Sequence, residues 1–190
     1  GMSIISGLAL GIDGAAHQGA LSAKGYTLAI LGCGLDHIYP RRHQDLAEQI
    51  TQQGGALMSE FPLDALPLAQ HFPQRNRLIS GICLATLVIE ATQRSGSLIT
   101  AQLALEQNRD VFALPGSIHN KLAAGNHQLI QQGATLVISA KNVLENLDIT
   151  PNTTSTPPQK APIPPISTAI DHEMTHLLRH IGFETTNIDN

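Results

Sequence analysis

The chain has 190 residues, of which 42% are apolar, and its formal net charge at pH 7 is −4. This composition is sufficient for a buried core in one domain. It argues against a general basic coat for nucleic acid, although a local pocket can be positive on an acidic protein. No apolar run reaches the roughly 20 residues that span a bilayer, and the start lacks the basic and apolar regions of a signal peptide. We therefore expect a cytoplasmic protein without membrane contact, with Cys33 and Cys83 as reduced thiols.

Short apolar segments alternate with helical patterns along the chain, which is typical of a doubly wound α/β fold. In such a fold a mostly parallel sheet has helices on both faces. Strands are predicted at residues 3–6, 27–31, 56–59, 85–89, 111–113 and 135–138. Helices are predicted near residues 13–24, 41–53, 73–82, 97–107 and 126–132. Because the first strand follows Gly1-Met2 almost at once, we expect that the sequence begins inside a domain.

The composition changes after residue 147, which we take as the end of the core domain. Residues 148–168 contain six of the chain's eleven prolines among Thr, Ser, Gln and Lys, and we expect an extended linker there. Residues 169–190 contain one amphipathic helical pattern, formed by Ile170, Met174, Leu177, Leu178 and Ile181. A single helix has no core of its own, so it is predicted to begin a second domain or to dock elsewhere.

The segment Phe72-Pro73-Gln74-Arg75-Asn76-Arg77 places two guanidinium groups and an amide at the predicted start of a helix. The free N–H groups of a first helical turn that begins with Pro73 favour an anion. Arginine can hold a phosphate through two hydrogen bonds, and the face of Phe72 can stack on a base. These properties predict a nucleic-acid contact at Phe72, Arg75, Asn76 and Arg77. The alternative is an amphipathic helix with a solvated charged edge.

Three further loops at strand ends contain candidate contacts of a similar kind. The candidates are Ser6, Gly7 and Gly11 in the first loop, Tyr39, Arg41 and Arg42 in the second, and Ser95, Gly96 and Ser97 in the third. Because ligands of open α/β sheets bind beyond the carboxyl ends of the strands, we expect the loops to converge on one cleft. A structural role stays open for each loop alone, since serine caps helices and Tyr39-Pro40 can shape a turn.

Motifs for cofactors and metals are incomplete in this sequence. The dinucleotide fingerprint Gly-x-Gly-x-x-Gly fails on spacing in the first loop and again at Gly32-Cys33-Gly34, where His37 stands in place of the third glycine. Walker A is absent, because no Gly-Lys-Ser/Thr occurs. The segment His172-Glu173-Met174-Thr175-His176 matches a zinc-hydrolase motif but lacks a third ligand. We therefore expect neither a cofactor nor a metal.

An ordered series of motifs from residue 3 to about residue 147 resembles the DprA/Smf family. The series includes Ser6-Gly7-Leu8-Ala9-Leu10-Gly11-Ile12-Asp13, Leu31-Gly32-Cys33-Gly34-Leu35-Asp36, Tyr39-Pro40, Ser59-Glu60-Phe61-Pro62, Phe72-Pro73-Gln74-Arg75-Asn76-Arg77, Ser95-Gly96-Ser97-Leu98-Ile99-Thr100-Ala101 and Phe112-Ala113-Leu114-Pro115-Gly116. The resemblance implies an extended Rossmann-like core that forms homodimers and is not an enzyme. It also implies binding of single-stranded DNA in natural transformation and loading of the RecA recombinase onto that DNA.

The resemblance further implies that the chain is a truncated member of the family. An earlier strand with a Gly-Ser-Arg loop is absent, and the helix near residues 170–181 is similar to the opening of a winged-helix-like domain. It places the DNA contacts in the loops already selected from the residues themselves. Many relatives have arginine where this chain has Leu10, so the first loop is expected to contribute mainly backbone contacts.

A rival reading is an enzyme of the nucleoside-monophosphate phosphoribohydrolase type, which has a related Rossmann-like fold. Such enzymes place Pro-Gly-Gly-x-Gly-Thr-x-x-Glu at the equivalent helix start, whereas this chain has Arg94-Ser95-Gly96-Ser97-Leu98-Ile99-Thr100. The glycine pair and the glutamate that this hydrolysis needs are missing from the segment. A second rival is an interaction scaffold with a vestigial cleft.

Overall fold

The computed structural model describes residues 2–149, which contain six short strands and six α-helices. The strands are β1 (Ile4–Ser6), β2 (Thr27–Ile30), β3 (Ala56–Met58), β4 (Ala85–Val88), β5 (Asp110–Ala113) and β6 (Thr135–Leu136). The helices are α1 (Ile12–Ser22), α2 (Gln44–Gln52), α3 (His71–Ile82), α4 (Gly96–Glu106), α5 (Ala124–Gln131) and α6 (Ala140–Asn146). Two single-turn 3-10 helices, Arg41–His43 and Lys121–Ala123, lead into α2 and α5.

All strand pairs are parallel, and they form two three-stranded sheets with the orders β1-β2-β3 and β4-β5-β6. In the first sheet Ile4 pairs with Thr27 and Leu28 with Ala56. This arrangement confirms the predicted Rossmann-like α/β class with parallel strands. The strands form two sheets instead of one, since among the described residues no strand of β1–β3 pairs with a strand of β4–β6.

Each sheet has its own apolar core. The first core contains Leu8, Ala29, Leu31 and Ile50, all with at most 1% of their surface exposed. The second contains Val88, Ala101, Val111 and Leu129. Helices α1 and α2 pack on the first sheet and on each other, α4 packs on the second sheet, and α3 lies along α4 while also contacting β2. Helix α3 therefore contacts both β2 of the first sheet and α4, which packs on the second sheet.

A buried polar pair ties α1 to the first sheet. The Thr27 hydroxyl donates to Ile4 O over 2.8 Å, so it accepts from His17 Nδ1–H over 2.7 Å. His17 is fully buried and its Nε2 has no partner among the described residues. Burial lowers the pKa of His17 to about 4, with nearby Asp13 raising it and His43 lowering it further. The folded domain therefore holds His17 in its neutral form.

The element boundaries differ from the sequence predictions in three informative places. Helix α3 begins at His71 rather than Pro73, and Pro73 is tolerated because N–H groups of a first turn have no intrahelical partner. Residues 41–43 form a 3-10 turn instead of the first turn of α2. Helix α6 was not predicted, although Ser139 caps it by accepting from Asn142 N over 3.3 Å.

Several sequence predictions concern residues beyond position 149. The C-terminal helix, the His172 to His176 segment and nearly all of the predicted linker lie outside the described residues. No helix within residues 2–149 is long and apolar enough to cross a membrane. Cys33 and Cys83 are both free thiols, as the sequence predicted.

Candidate functional site

The loop between β1 and α1 adopts a backbone conformation that side chains rarely accept. Leu8 has a φ of 61° although it is fully buried, and Gly11 has a φ of 88°. Asp13 supports the loop from within α1, since its Oδ2 accepts from Gly7 N over 2.9 Å and from Ala9 N over 3.2 Å. We refer to residues 7–11 as the first loop. Its shape is held in part by contacts from side chains outside the loop.

Arg75 lies beneath the first loop and is only 5% exposed. Its Nη1 donates to Gly7 O over 2.9 Å and also to Ile30 O, and its Nε donates to Asn76 Oδ1 over 3.2 Å. A Cβ at Gly7 would lie 2.6 Å from the guanidinium carbon, so a larger residue there would displace the Arg75 side chain. The guanidinium thus joins α3 to the first loop and to the end of β2.

This position differs from the exposed phosphate contact that the sequence led us to expect for Arg75. The helix begins two residues earlier than predicted, so Arg75 is its fifth residue and points inward. Burial lowers the pKa of Arg75, while the nearby Asp13 carboxylate and Cys33 act in the opposite direction. Arg75 and its neighbour Asn76, which is 9% exposed, organise the site from below.

An aromatic pair lies at the end of β2. The rings of Tyr39 and Phe72 have centroids 5.5 Å apart at an interplanar angle of 40°, and Tyr39 is 49% exposed. Phe72 also lies against Gly32, where a Cβ would come within 2.7 Å of the ring. An exposed aromatic face beside a polar loop is a surface on which an unpaired base can stack.

Arg41 and Arg42 are exposed on the 3-10 turn that follows Tyr39-Pro40. His43 ends this turn, and its Nδ1 is 2.8 Å from Leu8 O in the first loop. A shallow depression of about 400 Å³ lies between α1 and α2, with Gly11, Gly14, Gln18, Arg42 and His43 in its wall. The first loop, the arginine turn and the aromatic pair therefore meet in one region.

Arg77 lies farther along α3 and is bound to a carboxylate. Its Nη2 forms an ion pair with Glu60 Oε2, and its side chain is 52% exposed. Glu60 belongs to the segment after β3, which is also tied to α3 by stacking of Phe61 on His71 with ring centroids 4.1 Å apart. An anion that binds Arg77 competes with Glu60 for the guanidinium charge, so Arg77 offers less free positive charge than the sequence suggested.

The turn with Ser95, Gly96 and Ser97 has the capping role that was open as an alternative. Ser95 is the N-cap of α4, because its Oγ accepts from Ser97 N over 3.2 Å. The two hydroxyls also bond to each other over 3.2 Å. Within residues 2–149 no hydrogen bond links this turn to the first loop, so its convergence with the other loops stays a prediction.

Sequence reasoning missed two residues that shape the site, Asp13 and His43. Neither residue is among the predicted contacts. The signal for Asp13 was its position in the first turn of a helix after a glycine-rich loop. No short motif points to His43, because its partner Leu8 is 35 residues away in the chain.

Comparisons with known proteins agree with this architecture. Residues 1–148 match the family described as DNA recombination-mediator protein A. The chain is 50% identical to Protein Smf of Escherichia coli K12 over 189 residues, which are 100% of this chain and 50% of that protein. It is 46% identical to DNA processing protein DprA of Bacillus subtilis over 147 residues, 77% of this chain and 49% of that protein. The chain thus spans about half the length of these curated relatives.

Two solved structures have the same fold. DNA processing protein A from Streptococcus pneumoniae matches with a TM-score of 0.71 and 49% identity, over 76% of this chain and 50% of that one. DNA processing protein A from Helicobacter pylori, whose structure concerns its single-stranded DNA binding mode, matches with a TM-score of 0.70 and 30% identity. That match covers 78% of this chain and 67% of the Helicobacter chain.

Proposed function

The chain belongs to the DNA recombination-mediator protein A family, and from that premise we propose that it binds single-stranded DNA where the first loop, the arginine turn and the aromatic pair meet. The carrying observation is the exposed Tyr39 ring, packed on Phe72 and followed within three residues by two exposed arginines. Bases stack on aromatic rings and arginines bind phosphates, which is the usual combination for an unpaired strand.

Single strands are favoured over duplex DNA for two physical reasons. Bases in a duplex are already stacked and paired, so they are not free to lie on Tyr39. The protein also has a net charge of −4, and it offers little general attraction for the doubled phosphate density of a duplex. We therefore expect preference for single strands with little dependence on base sequence.

The number of free arginines sets the salt dependence. Of the four candidate arginines, Arg75 is buried against main-chain oxygens and Arg77 is paired with Glu60, which leaves Arg41 and Arg42 as the exposed pair. Two phosphate contacts predict that log affinity falls against log salt with a slope of about −1.4 for a single strand. Arg42→Ala should weaken binding by roughly tenfold and reduce that slope by about 0.7.

Fluorescence anisotropy with labelled oligothymidylate tests the proposal. Lys141→Ala is a suitable control, because it removes one exposed positive charge from α6. Equal affinity for single strands and duplex, or an equal loss of affinity in the Arg42→Ala and Lys141→Ala variants, would count against the site. Release of free base from nucleoside monophosphates would favour the hydrolase reading instead.

The family resemblance also motivates two partner proposals. We propose that the chain associates as a homodimer and that it delivers single-stranded DNA to a RecA recombinase in natural transformation and recombination. Neither partner surface is assigned to particular residues. The recombinase proposal is tested by pull-down of purified RecA with the chain, in the presence and absence of oligothymidylate, and absence of any complex would contradict it.

A further inference from the structure

His43 connects two parts of the site that are distant in sequence. It ends the turn that contains Arg41 and Arg42, and its ring reaches the carbonyl of Leu8 in the first loop. A carbonyl only accepts hydrogen bonds, so Nδ1 of His43 is the donor. Among the hydrogen bonds of residues 2–149, this is the one that joins the arginine turn to the first loop.

The packing around His43 leaves its ring little freedom. It lies close to Gly14 of α1, where a Cβ would come within 2.7 Å of Cε1 and 2.9 Å of Nε2. The main chain of His43 is also bonded, since its N–H donates to Pro40 O over 2.9 Å. The imidazole is therefore held between α1 and the loop, and the backbone of the turn is held with it.

The partner of His43 is the most constrained residue of the loop. Leu8 combines a positive φ with complete burial, a conformation that persists only when its surroundings enforce it. Asp13 accepts from the N–H groups of Gly7 and Ala9, on either side of Leu8, and Arg75 donates to the carbonyl of Gly7. His43 supplies the contact to Leu8 itself, and it does so from the element that carries the exposed arginines.

We propose that His43 is a positioning residue, whose hydrogen bond to Leu8 fixes the Arg41–Arg42 turn against the first loop and so sets the phosphate contacts. This inference rests on the proposed DNA binding, because its functional consequence is affinity for a single strand. In this role His43 acts through the turn and not by binding the strand directly. Its loss acts by letting the two arginines move independently of the loop.

Two substitutions separate positioning from simple packing. His43→Leu fills the space but cannot donate, whereas His43→Asn places an amide N–H near the position of Nδ1. We expect His43→Leu to weaken binding of oligothymidylate about tenfold and to flatten the salt slope by about 0.7, the value for one phosphate. His43→Asn should stay within about threefold of the unmodified chain.

His127→Leu is the matched control. His127 also bonds a main-chain oxygen through its ring, Gly116 O at 2.9 Å, but it lies on α5 beside the second sheet. We expect it to leave affinity and salt slope unchanged. An equal loss of affinity in the His43→Leu and His127→Leu variants would overturn the positioning role. An equal loss of affinity in His43→Leu and His43→Asn would overturn it as well.

Hydrogen exchange of the unliganded chain keeps this inference separate from the proposed function. In His43→Leu the amides of Ala9 and of residue 43 should exchange several-fold faster, while amides of β5 are unchanged. If the unmodified chain does not bind single-stranded DNA, the proposed function fails and exchange alone decides the structural link. Unaltered exchange at both amides would overturn that link whatever the DNA titration shows.

Discussion

Replacement of Arg75 by alanine should destabilise the domain, because the guanidinium is an internal cross-link. It donates to Gly7 O and Ile30 O, which belong to the first loop and to the end of β2. Each buried carbonyl left without its donor costs about 1–2 kcal/mol, and loss of the side chain leaves a cavity. We expect the free energy of unfolding to fall by about 3 kcal/mol.

Thermal and urea unfolding of the purified chain measure this effect. A loss of about 3 kcal/mol corresponds to a fall in Tm of about 6–12 °C for a domain of this size. Arg77→Ala is the matched control on the same helix, since Arg77 is half exposed and paired only with Glu60. We expect it to change stability by less than about 1 kcal/mol.

A third substitution distinguishes charge from geometry. Arg75→Lys keeps a positive charge, but a single ammonium on a flexible stem does not reproduce the planar fork. The Tm of Arg75→Lys should lie between those of the unmodified chain and Arg75→Ala. A folded Arg75→Ala variant that melts within about 2 °C of the unmodified chain would refute the cross-link. Lower DNA affinity in such a variant would return Arg75 to the list of direct phosphate contacts.

Three further predictions use other features of the same domain. Because the pKa of His17 falls to about 4 on folding, the imidazole of the unfolded chain is protonated first as the pH drops below about 6.5. The free energy of unfolding should therefore decline by up to about 3 kcal/mol toward pH 4. Urea titrations of His17→Gln should show a flatter dependence of stability on pH. Gly34→Ala should destabilise by about 1–3 kcal/mol because its Cβ overlaps the carbonyls of Pro62 and Leu63, whereas Gly19→Ala, with open space in α1, should be neutral or stabilising in the same melts. Sedimentation should show a dimer, and a monomer across a wide concentration range would contradict the proposed association.

The alternation of strands and helices was readable from the sequence because it depends on local patterns. Short apolar runs placed all six strands to within two residues at either end. Helix α6 was missed because it spans only seven residues and its apolar pattern is short. The division into two sheets was also not predictable, since strand pairing is a non-local property that residue patterns do not encode.

The candidate site was predictable in its location more than in its chemistry. The rule for parallel strands predicts that the first loop and the segment after β2 lie close together, and the contact of His43 with Leu8 agrees with it. It could not distinguish a buried arginine from an exposed one, because both have the same sequence signature. The burial of Arg75 depends on main-chain oxygens contributed by residues 45 and 68 positions away.

The arginines of this region are of two kinds, since Arg75 is buried while Arg41 and Arg42 are exposed. A guanidinium has several N–H donors that can bind carbonyl or phosphate oxygens, and the buried Arg75 uses Nη1 to bind two main-chain carbonyls. Arg75 binds the carbonyl of Gly7 in the first loop, where Leu8 has an unfavourable φ, and the carbonyl of Ile30 at the end of β2, so its charge is already engaged before any ligand arrives. Arg41 and Arg42 remain hydrated and free to exchange water for phosphate. The inner arginine therefore limits movement of the loop, and under the proposed function the outer pair supplies the attraction for the phosphates of a strand.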